Sequence, residues 1–147
     1  MNSKSLDNLV KIGQLKEEPF SQDEYNGLVS SGKARLKDAK VDSLSPESRF
    51  DLAYNAAHAL ALAALRKCGY RSTNRYIVFQ VLPQTTGLGP EVWRVLSKCH
   101  DQRNLAEYEG HLEVNEQLLK ELLIATQTLL GQVENTFTLQ ENESTWI

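Results

Sequence analysis

An apolar stretch between positions 45 and 68 constrains the fold of this chain more than any other feature. Ser45 and Pro46 precede it as a helix N-cap and a first-turn proline, and Gly69 follows it as a helix-ending residue. Its alanines and leucines recur at helical spacing on two faces, so most of the helix circumference is apolar. Other helices must cover such a surface, and the alanines let them approach closely. We therefore expect this segment to be the buried centre of an all-α fold.

The rest of the chain supplies further helices. Ser21 and Glu24 form a capping-box pattern before a helix that should run to about residue 40. Three more segments share apolar residues at three- and four-residue spacing: 5–16, 90–110 and 113–133. Residues 75–82 have a strand-like composition but no strong second strand to pair with, so we predict a short helix, with a strand as the alternative. The sequence therefore predicts an up-and-down bundle of four to six helices.

Length and charge limit the organisation and the partners. A chain of 147 residues fits one domain, in which residues 1–44 form N-terminal helices, 45–137 the core and 138–147 a polar, acidic tail. The net charge of -3 does not itself predict a nucleic-acid partner. Residues 66–103, however, hold seven basic and only two acidic residues, and such a local excess can attract phosphates. Alternatively, these basic residues complement a helix C-terminus and are otherwise solvated.

The cysteines and the hydropathy pattern indicate a compartment. Cys68 and Cys99 lack the spacing of a redox or zinc motif, which fits reduced thiols in a cytoplasmic protein. No secretory signal pattern and no sufficiently long apolar run is present, so we expect no membrane association. The histidines and cysteines show no recognised ligand spacing, and we expect neither a metal nor a cofactor.

Residues 99–111 contain most of the side chains that could take part in catalysis or ligand binding. On a helix, positions three, four and seven apart share a face. The resulting polar stripe and its two flanks consist of His100, Asn104, Glu107 and His111, with Arg103 and Tyr108 beside them. Polar groups against a helical core need partners, so the stripe either faces water or forms a hydrogen-bonded pocket that a second subunit can complete.

Each stripe residue has two interpretations. Arg103 binds phosphate, or pairs with Glu107 along the helix or with a carboxylate across a dimer. Asn104 orients a phosphate or a 2′-hydroxyl, or hydrogen-bonds to Tyr108. Tyr108 stacks on a base, or lies in a core or an interface.

The histidines and the loop after the central helix also have more than one interpretation. His100 and His111 carry protons, or are surface histidines. His58, among alanines, is expected to be a satisfied core or interface histidine. Arg71 and Arg75 alternate with tyrosines, a pattern suited to backbone contact and base stacking, although chance alone can produce it.

Three segments together resemble the HEPN superfamily. They are the alanine-leucine run at 57–65, the Gly-Tyr-Arg-Ser sequence at 69–72, and Arg-Asn-Leu-Ala-Glu-Tyr at 103–108 before a leucine-rich final helix. HEPN domains are up-and-down helical bundles that usually dimerise, and many are metal-independent RNases of toxin–antitoxin and other prokaryotic defence systems. Their motif is Arg, often a polar residue such as Asn, a few further residues and His. Two such motifs meet across the dimer and cut RNA through attack by its own 2′-hydroxyl.

The resemblance implies roles for specific residues. Arg103 and Asn104 match the start of the motif, but Tyr108 stands where the family has His. A tyrosine is a poor general base at neutral pH, and His111 lies outside the family's spacing. Arg103 and His111 are therefore the catalytic candidates, while the binding candidates are Arg103, Asn104, Glu107, Tyr108, His100, Arg71 and Arg75.

We expect a homodimeric prokaryotic protein that binds RNA, a nucleotide or a partner protein through its Arg103–Tyr108 region, with weak or no RNase activity. One alternative is an active metal-independent ribonuclease, in which Arg103 stabilises the phosphate and His111 or His100 moves the proton. Another is a non-catalytic scaffold or neutralising subunit. A nucleotidyltransferase-like or antitoxin-like protein is the partner that the resemblance suggests.

Overall fold

The computed structural model describes the backbone of residues 3–110 and 113–145, and the side chains of residues 5–110 and 113–135. Over these ranges seven helices and a two-stranded sheet follow one another. In chain order they are α1 (Ser3–Lys11), β1 (Lys16–Glu17), α2 (Gln22–Ala39), α3 (Pro46–Lys67), β2 (Tyr70–Arg71), α4 (Arg75–Gln80), α5 (Leu82–Thr86), α6 (Pro90–Glu109) and α7 (Glu116–Thr145). The predicted all-α bundle is confirmed. None of the described helices has the length and apolar character needed to cross a bilayer.

The central position predicted for residues 45–68 is confirmed. Helix α3 contacts α2, α4, α5, α6 and α7, and most of its alanines and leucines are fully buried. Its approach to α2 is close at Gly32, where a Cβ atom would lie only 2.7 Å from Cγ of Leu60. The absence of a side chain at Gly32 of α2 thus leaves room for Leu60 of α3 at this contact.

Capping residues set the helix boundaries largely as predicted. The Ser21 hydroxyl accepts a hydrogen bond from the Glu24 amide at 3.3 Å, and the Ser45 hydroxyl accepts one from the Ser48 amide at 3.1 Å. The helix predicted from residue 75 is confirmed as far as Gln80, after which Val81 interrupts it and Leu82 begins α5; Asn74 caps α4 through a 3.2 Å bond from the Ile77 amide. Gly110 ends α6 in the left-handed conformation at φ 82°, which fixes the limit of the polar stripe on this helix.

Three boundaries differ from the predictions. Helix α1 stops at Lys11 instead of continuing to residue 16, because Gly13 turns the chain at φ 80° and leads into β1. Strand β1 pairs antiparallel with β2, in a segment that was expected to be a loop. Helix α7 starts at Glu116, where the Asn115 side chain accepts hydrogen bonds from two following amides, and its backbone continues into the expected tail as far as Thr145.

Candidate functional site

Helices α3, α4 and α6 bring seven polar residues together on one side of the bundle. Tyr54 is at the centre, with its ring near two guanidinium groups and its hydroxyl bonded to an imidazole. We call this group the Tyr54 cluster. Its members are Asp51, Tyr54, Asn55, Arg75, His100, Arg103 and Asn104.

The imidazole of His100 is held at both ring nitrogens. Oη of Tyr54, a residue that is only 1% exposed, lies 2.8 Å from Nδ1, and Nδ2 of Asn104 lies 3.1 Å from Nε2. An amide nitrogen can only donate, so Nε2 accepts and the single proton of the neutral ring is on Nδ1, which donates to Tyr54. The lone pair of Nε2 is therefore already used within the chain.

Burial and charge keep His100 neutral. Desolvation lowers the pKa of His100, and the positive charges of Arg75 and Arg103 lower it further, whereas Asp101 and Glu107 act in the opposite direction. Desolvation also raises the pKa of Tyr54, an effect that Arg75 partly offsets. At neutral pH both groups are uncharged, so the two arginines provide the positive charge of the cluster.

The two guanidinium groups both contact the Tyr54 ring but have different hydrogen-bonding partners. Cζ of Arg103 is 5.0 Å from the centroid of the Tyr54 ring, and Cζ of Arg75 is 5.5 Å from it, so both make cation–π contacts. Arg103 forms an ion pair with Asp51. Nη1 of Arg75 donates to the neutral amide oxygen of Asn55 at 3.2 Å, and no carboxylate in the described part of the chain pairs with Arg75. The cluster thus contains two cations and one directly bound anion.

His58 lies at the edge of the cluster on α3. Its half-buried ring contacts Phe79 edge-on, at 6.2 Å between centroids. Desolvation lowers the pKa of His58 to about 4, and the charges of Arg75 and His100 contribute in the same direction. His58 is thus a neutral, half-buried histidine packed on an aromatic ring, and its expected role as a satisfied core or interface residue stays a prediction.

The remaining binding candidates on α6 do not join the cluster through direct contacts. Tyr108 is 91% exposed, and neither a hydrogen bond nor a ring contact links it to any described residue. Glu107 is exposed and influences His100 and Tyr54 only through its charge. Arg103 pairs with Asp51 instead of Glu107, and Asn104 bonds to His100 instead of Tyr108. His111 lies outside the described residues.

Arg71 belongs to a separate group, which we call the Arg66 network: Glu18, Glu24, Arg66 and Arg71. Arg66 is 1% exposed and donates from Nε to Glu24 at 2.6 Å. It also donates to the carbonyls of Glu18, Pro19 and Tyr70. Arg71 pairs with Glu18 at 2.6 Å and with Glu24. Every charge in this network is matched, so Arg71 connects β2 to the start of α2 instead of adding to the Tyr54 cluster.

Hydrogen bonds from Arg71 and Arg66 lower the pKa of Glu24. The Glu24 carboxylate therefore serves the network and does not complete the capping box that the sequence suggested.

Elsewhere, burial raises the pKa of the Cys99 thiol to about 12, which makes it unreactive. Within the residues that the structure describes, no three potential ligands are grouped so that they could hold a metal ion.

Sequence reasoning missed the contribution of α3 to the site. Asp51, Asn55 and His58 are spaced by four and three residues, so they form a polar stripe on a helix that was described as apolar over most of its circumference. This stripe was the signal that could have identified α3 as the partner of α6. Tyr54, an aromatic residue within the apolar stretch, organises the cluster through its hydroxyl and its ring.

Fold and site together define an all-α helical bundle with a half-buried, arginine-containing polar cluster. No protein-family model matches the sequence, and no curated protein matches it either. The function is therefore argued from the cluster itself.

Proposed function

We propose that this chain is an HEPN-like protein that binds a phosphate-bearing ligand, RNA or a nucleotide, at the Tyr54 cluster and has weak or no RNase activity. The observation that carries the proposal is the convergence of Arg75 and Arg103 on one tyrosine ring, with a single partly exposed carboxylate to balance them. The resemblance of residues 103–108 to the family motif supports the same site.

The geometry of the arginines suits an anionic ligand. Both guanidinium groups lie within 5.5 Å of the same ring centroid, so an RNA strand that contacts one of them through a phosphate passes near the other. A planar guanidinium binds phosphate at two points, and contact with a tyrosine ring restrains the arginine side chain before the ligand arrives. Asn104 and Asn55 add neutral groups that can hydrogen-bond to sugar hydroxyls.

The state of His100 supports weak or absent catalysis. A general base needs a free lone pair within reach of the 2′-hydroxyl, whereas Nε2 of His100 accepts from Asn104 and Nδ1 bonds to Tyr54. The position at which the family carries its histidine holds Tyr108 in this chain. Neither group is arranged to remove a proton.

The proposal includes a cytoplasmic homodimer, with a nucleotidyltransferase-like or antitoxin-like protein as a further partner. Cys68 and Cys99 are both free thiols, which supports a reducing compartment such as the cytoplasm. Leu105 and Tyr108 are 48% and 91% exposed one turn apart on α6, and such exposed apolar side chains support a subunit contact on that helix. Size-exclusion chromatography with light scattering tests the dimer, and a monomeric mass would contradict it.

Binding is tested with a fluorescein-labelled uridine oligoribonucleotide, by anisotropy at low salt in the presence of a chelator. Wild-type protein should bind, and the Arg75→Met/Arg103→Met double variant should bind at least about tenfold more weakly, because two charge-assisted contacts are lost. Arg94→Met is the matched control: this exposed arginine lies on the same helix, half a circumference away from Arg103. Equal loss in the control, or no wild-type binding, would contradict the proposal.

An active ribonuclease is the second candidate, and one observation favours it. The lowered pKa of His100 keeps its imidazole in the form that a general base requires at neutral pH. The same oligoribonucleotide, incubated with protein and chelator and resolved on a denaturing gel, separates the two candidates. Cleavage that disappears in both His100→Gln and Arg103→Met would establish the ribonuclease, and intact RNA supports the binding protein.

A further inference from the structure

Arg103 already has an anionic partner within the chain, and this distinguishes it from Arg75. Asp51 lies on α3 one turn before Asn55 and pairs with Nη1 of Arg103. The side chains of Arg103 and Asp51 are 28% and 53% exposed, so the carboxylate is at the solvent side of the pair. An incoming phosphate would approach from that same side.

From this arrangement we infer that Asp51 is a built-in competitor, which occupies the guanidinium of Arg103 and must be displaced before a phosphate can bind there. This inference deepens the proposed function and rests on it. Carboxylates and phosphates use the same N–H groups of a guanidinium, so both cannot hold the same donors at once. Asp51 therefore sets how strongly the cluster binds an anion, and it does so without contacting the ligand.

Displacement of Asp51 requires little rearrangement. More than half of its side-chain surface is exposed, so the released carboxylate becomes hydrated where it stands. Arg103 keeps its contact with the Tyr54 ring and need not move. Ion pairs with this exposure are weak, so a ligand that also contacts Arg75 can replace the internal anion.

Arg75 provides the first contact for that exchange. Its Nη1 donates to the amide of Asn55, and no carboxylate of the described chain has to leave before an anion binds to it. Arg75 thus contacts the phosphate first, and Arg103, without moving, binds the ligand only as Asp51 is released. The two arginines differ in role although they contact the same ring.

The test uses the uridine oligoribonucleotide and five proteins: wild type, Asp51→Asn, Glu47→Gln, Arg103→Met, and Asp51→Asn combined with Arg103→Met. Glu47 is an exposed carboxylate one turn earlier on α3, so its substitution changes the net charge by the same amount near the site. Asp51→Asn should tighten binding by roughly threefold to tenfold, as expected when an exposed ion pair and its repulsion of the ligand are removed. Glu47→Gln should change the affinity by less than about twofold.

A double-variant comparison isolates the competition. If Asp51 acts through Arg103, then Asp51→Asn brings no gain in the Arg103→Met background, for which Arg103→Met alone is the reference. An equal gain in Glu47→Gln, or a gain that persists without Arg103, would overturn the competitor role while leaving RNA binding intact. Absence of binding in every protein, with circular dichroism showing each to be folded, would overturn the proposed function and this inference together.

Discussion

The Arg66 network and the Tyr54 cluster each contain two arginines and involve helix α3, yet the surroundings of these arginines differ. In the network, two carboxylates and three backbone carbonyls match the guanidinium groups, and Arg66 is 1% exposed. In the cluster, one carboxylate that is 53% exposed faces two guanidinium groups. A saturated buried arginine stabilises the fold, whereas an incompletely paired, partly exposed arginine remains available to a ligand.

The largest expected effect is on the network side. Arg66→Met should reduce the free energy of unfolding by about 3 kcal/mol, because three carbonyls lose a donor and Glu24 loses one of its two cations. Urea denaturation followed by circular dichroism measures the change. A loss below about 1 kcal/mol would show that this network is not what connects β1, β2 and α2 to α3.

The Tyr54 cluster and the Arg66 network should lose stability in different ranges of acidic pH. The pKa of His58 is lowered to about 4 in the folded protein, against 6.5 in the unfolded chain. Above pH 6.5 His58 is unprotonated in both the folded and the unfolded state. Between pH 6.5 and about 4 only the unfolded chain binds the proton, so the free energy of unfolding decreases as the pH is lowered. The total loss from this residue is about 3 kcal/mol.

His58→Gln should therefore lose less stability than wild type between neutral pH and about pH 4. Glu24, whose pKa is lowered, contributes stability above its usual pKa of 4.5 that is lost below it, in both proteins alike. Urea unfolding across this range measures the difference between the two proteins. Parallel pH profiles would contradict a neutral, buried His58.

A smaller effect is expected from Tyr54→Phe, which keeps the ring and its two arginine contacts but removes the hydroxyl bonded to His100. The free energy of unfolding should fall by about 1 kcal/mol, the usual contribution of one buried hydrogen bond. The ¹⁵N shifts of the His100 ring, measured by NMR, should change at the same time, because Nδ1 loses its acceptor. Unchanged shifts would mean that the hydroxyl does not hold the imidazole.

The smallest stability effect is expected from Arg103→Met. Its ion pair with Asp51 is partly exposed, so the free energy of unfolding should fall by less than about 1 kcal/mol. The direct comparison is with Arg66→Met, the same substitution in the network. If both variants lose equal stability, the distinction between a structural and an available arginine fails.

Local signals predicted most of the fold. The caps at Ser21 and Ser45 set the starts of α2 and α3, and the apolar circumference of α3 predicted its central position. The helix predicted from residue 75 was also correct as far as Gln80. The pairing of β1 with β2 was missed, because each strand has two residues and lies far from its partner in the chain. Such pairs depend on tertiary packing and leave no periodic pattern in the sequence.

The site was predictable only in part. Helical spacing correctly places His100, Arg103 and Asn104 near one another on α6. Spacing rules, however, propose partners on the same helix, and both partners proposed in this way, Glu107 and Tyr108, are exposed. The burial of Val92, Leu96 and Cys99 fixes the rotation of α6 about its own axis and turns the cluster residues toward α3 instead. Rotation of this kind is set by the whole core and cannot be derived from one helix.

Phosphate binding at the Tyr54 cluster is best tested by the salt dependence of RNA binding. Each phosphate contact with a single strand contributes about 0.7 to the slope of log affinity against log salt concentration. Arg103→Met should therefore lower the slope by about 0.7 relative to wild type, while Arg94→Met leaves it unchanged. Parallel lines for wild type and Arg103→Met, or an equal change in Arg94→Met, would contradict a phosphate site at the Tyr54 cluster.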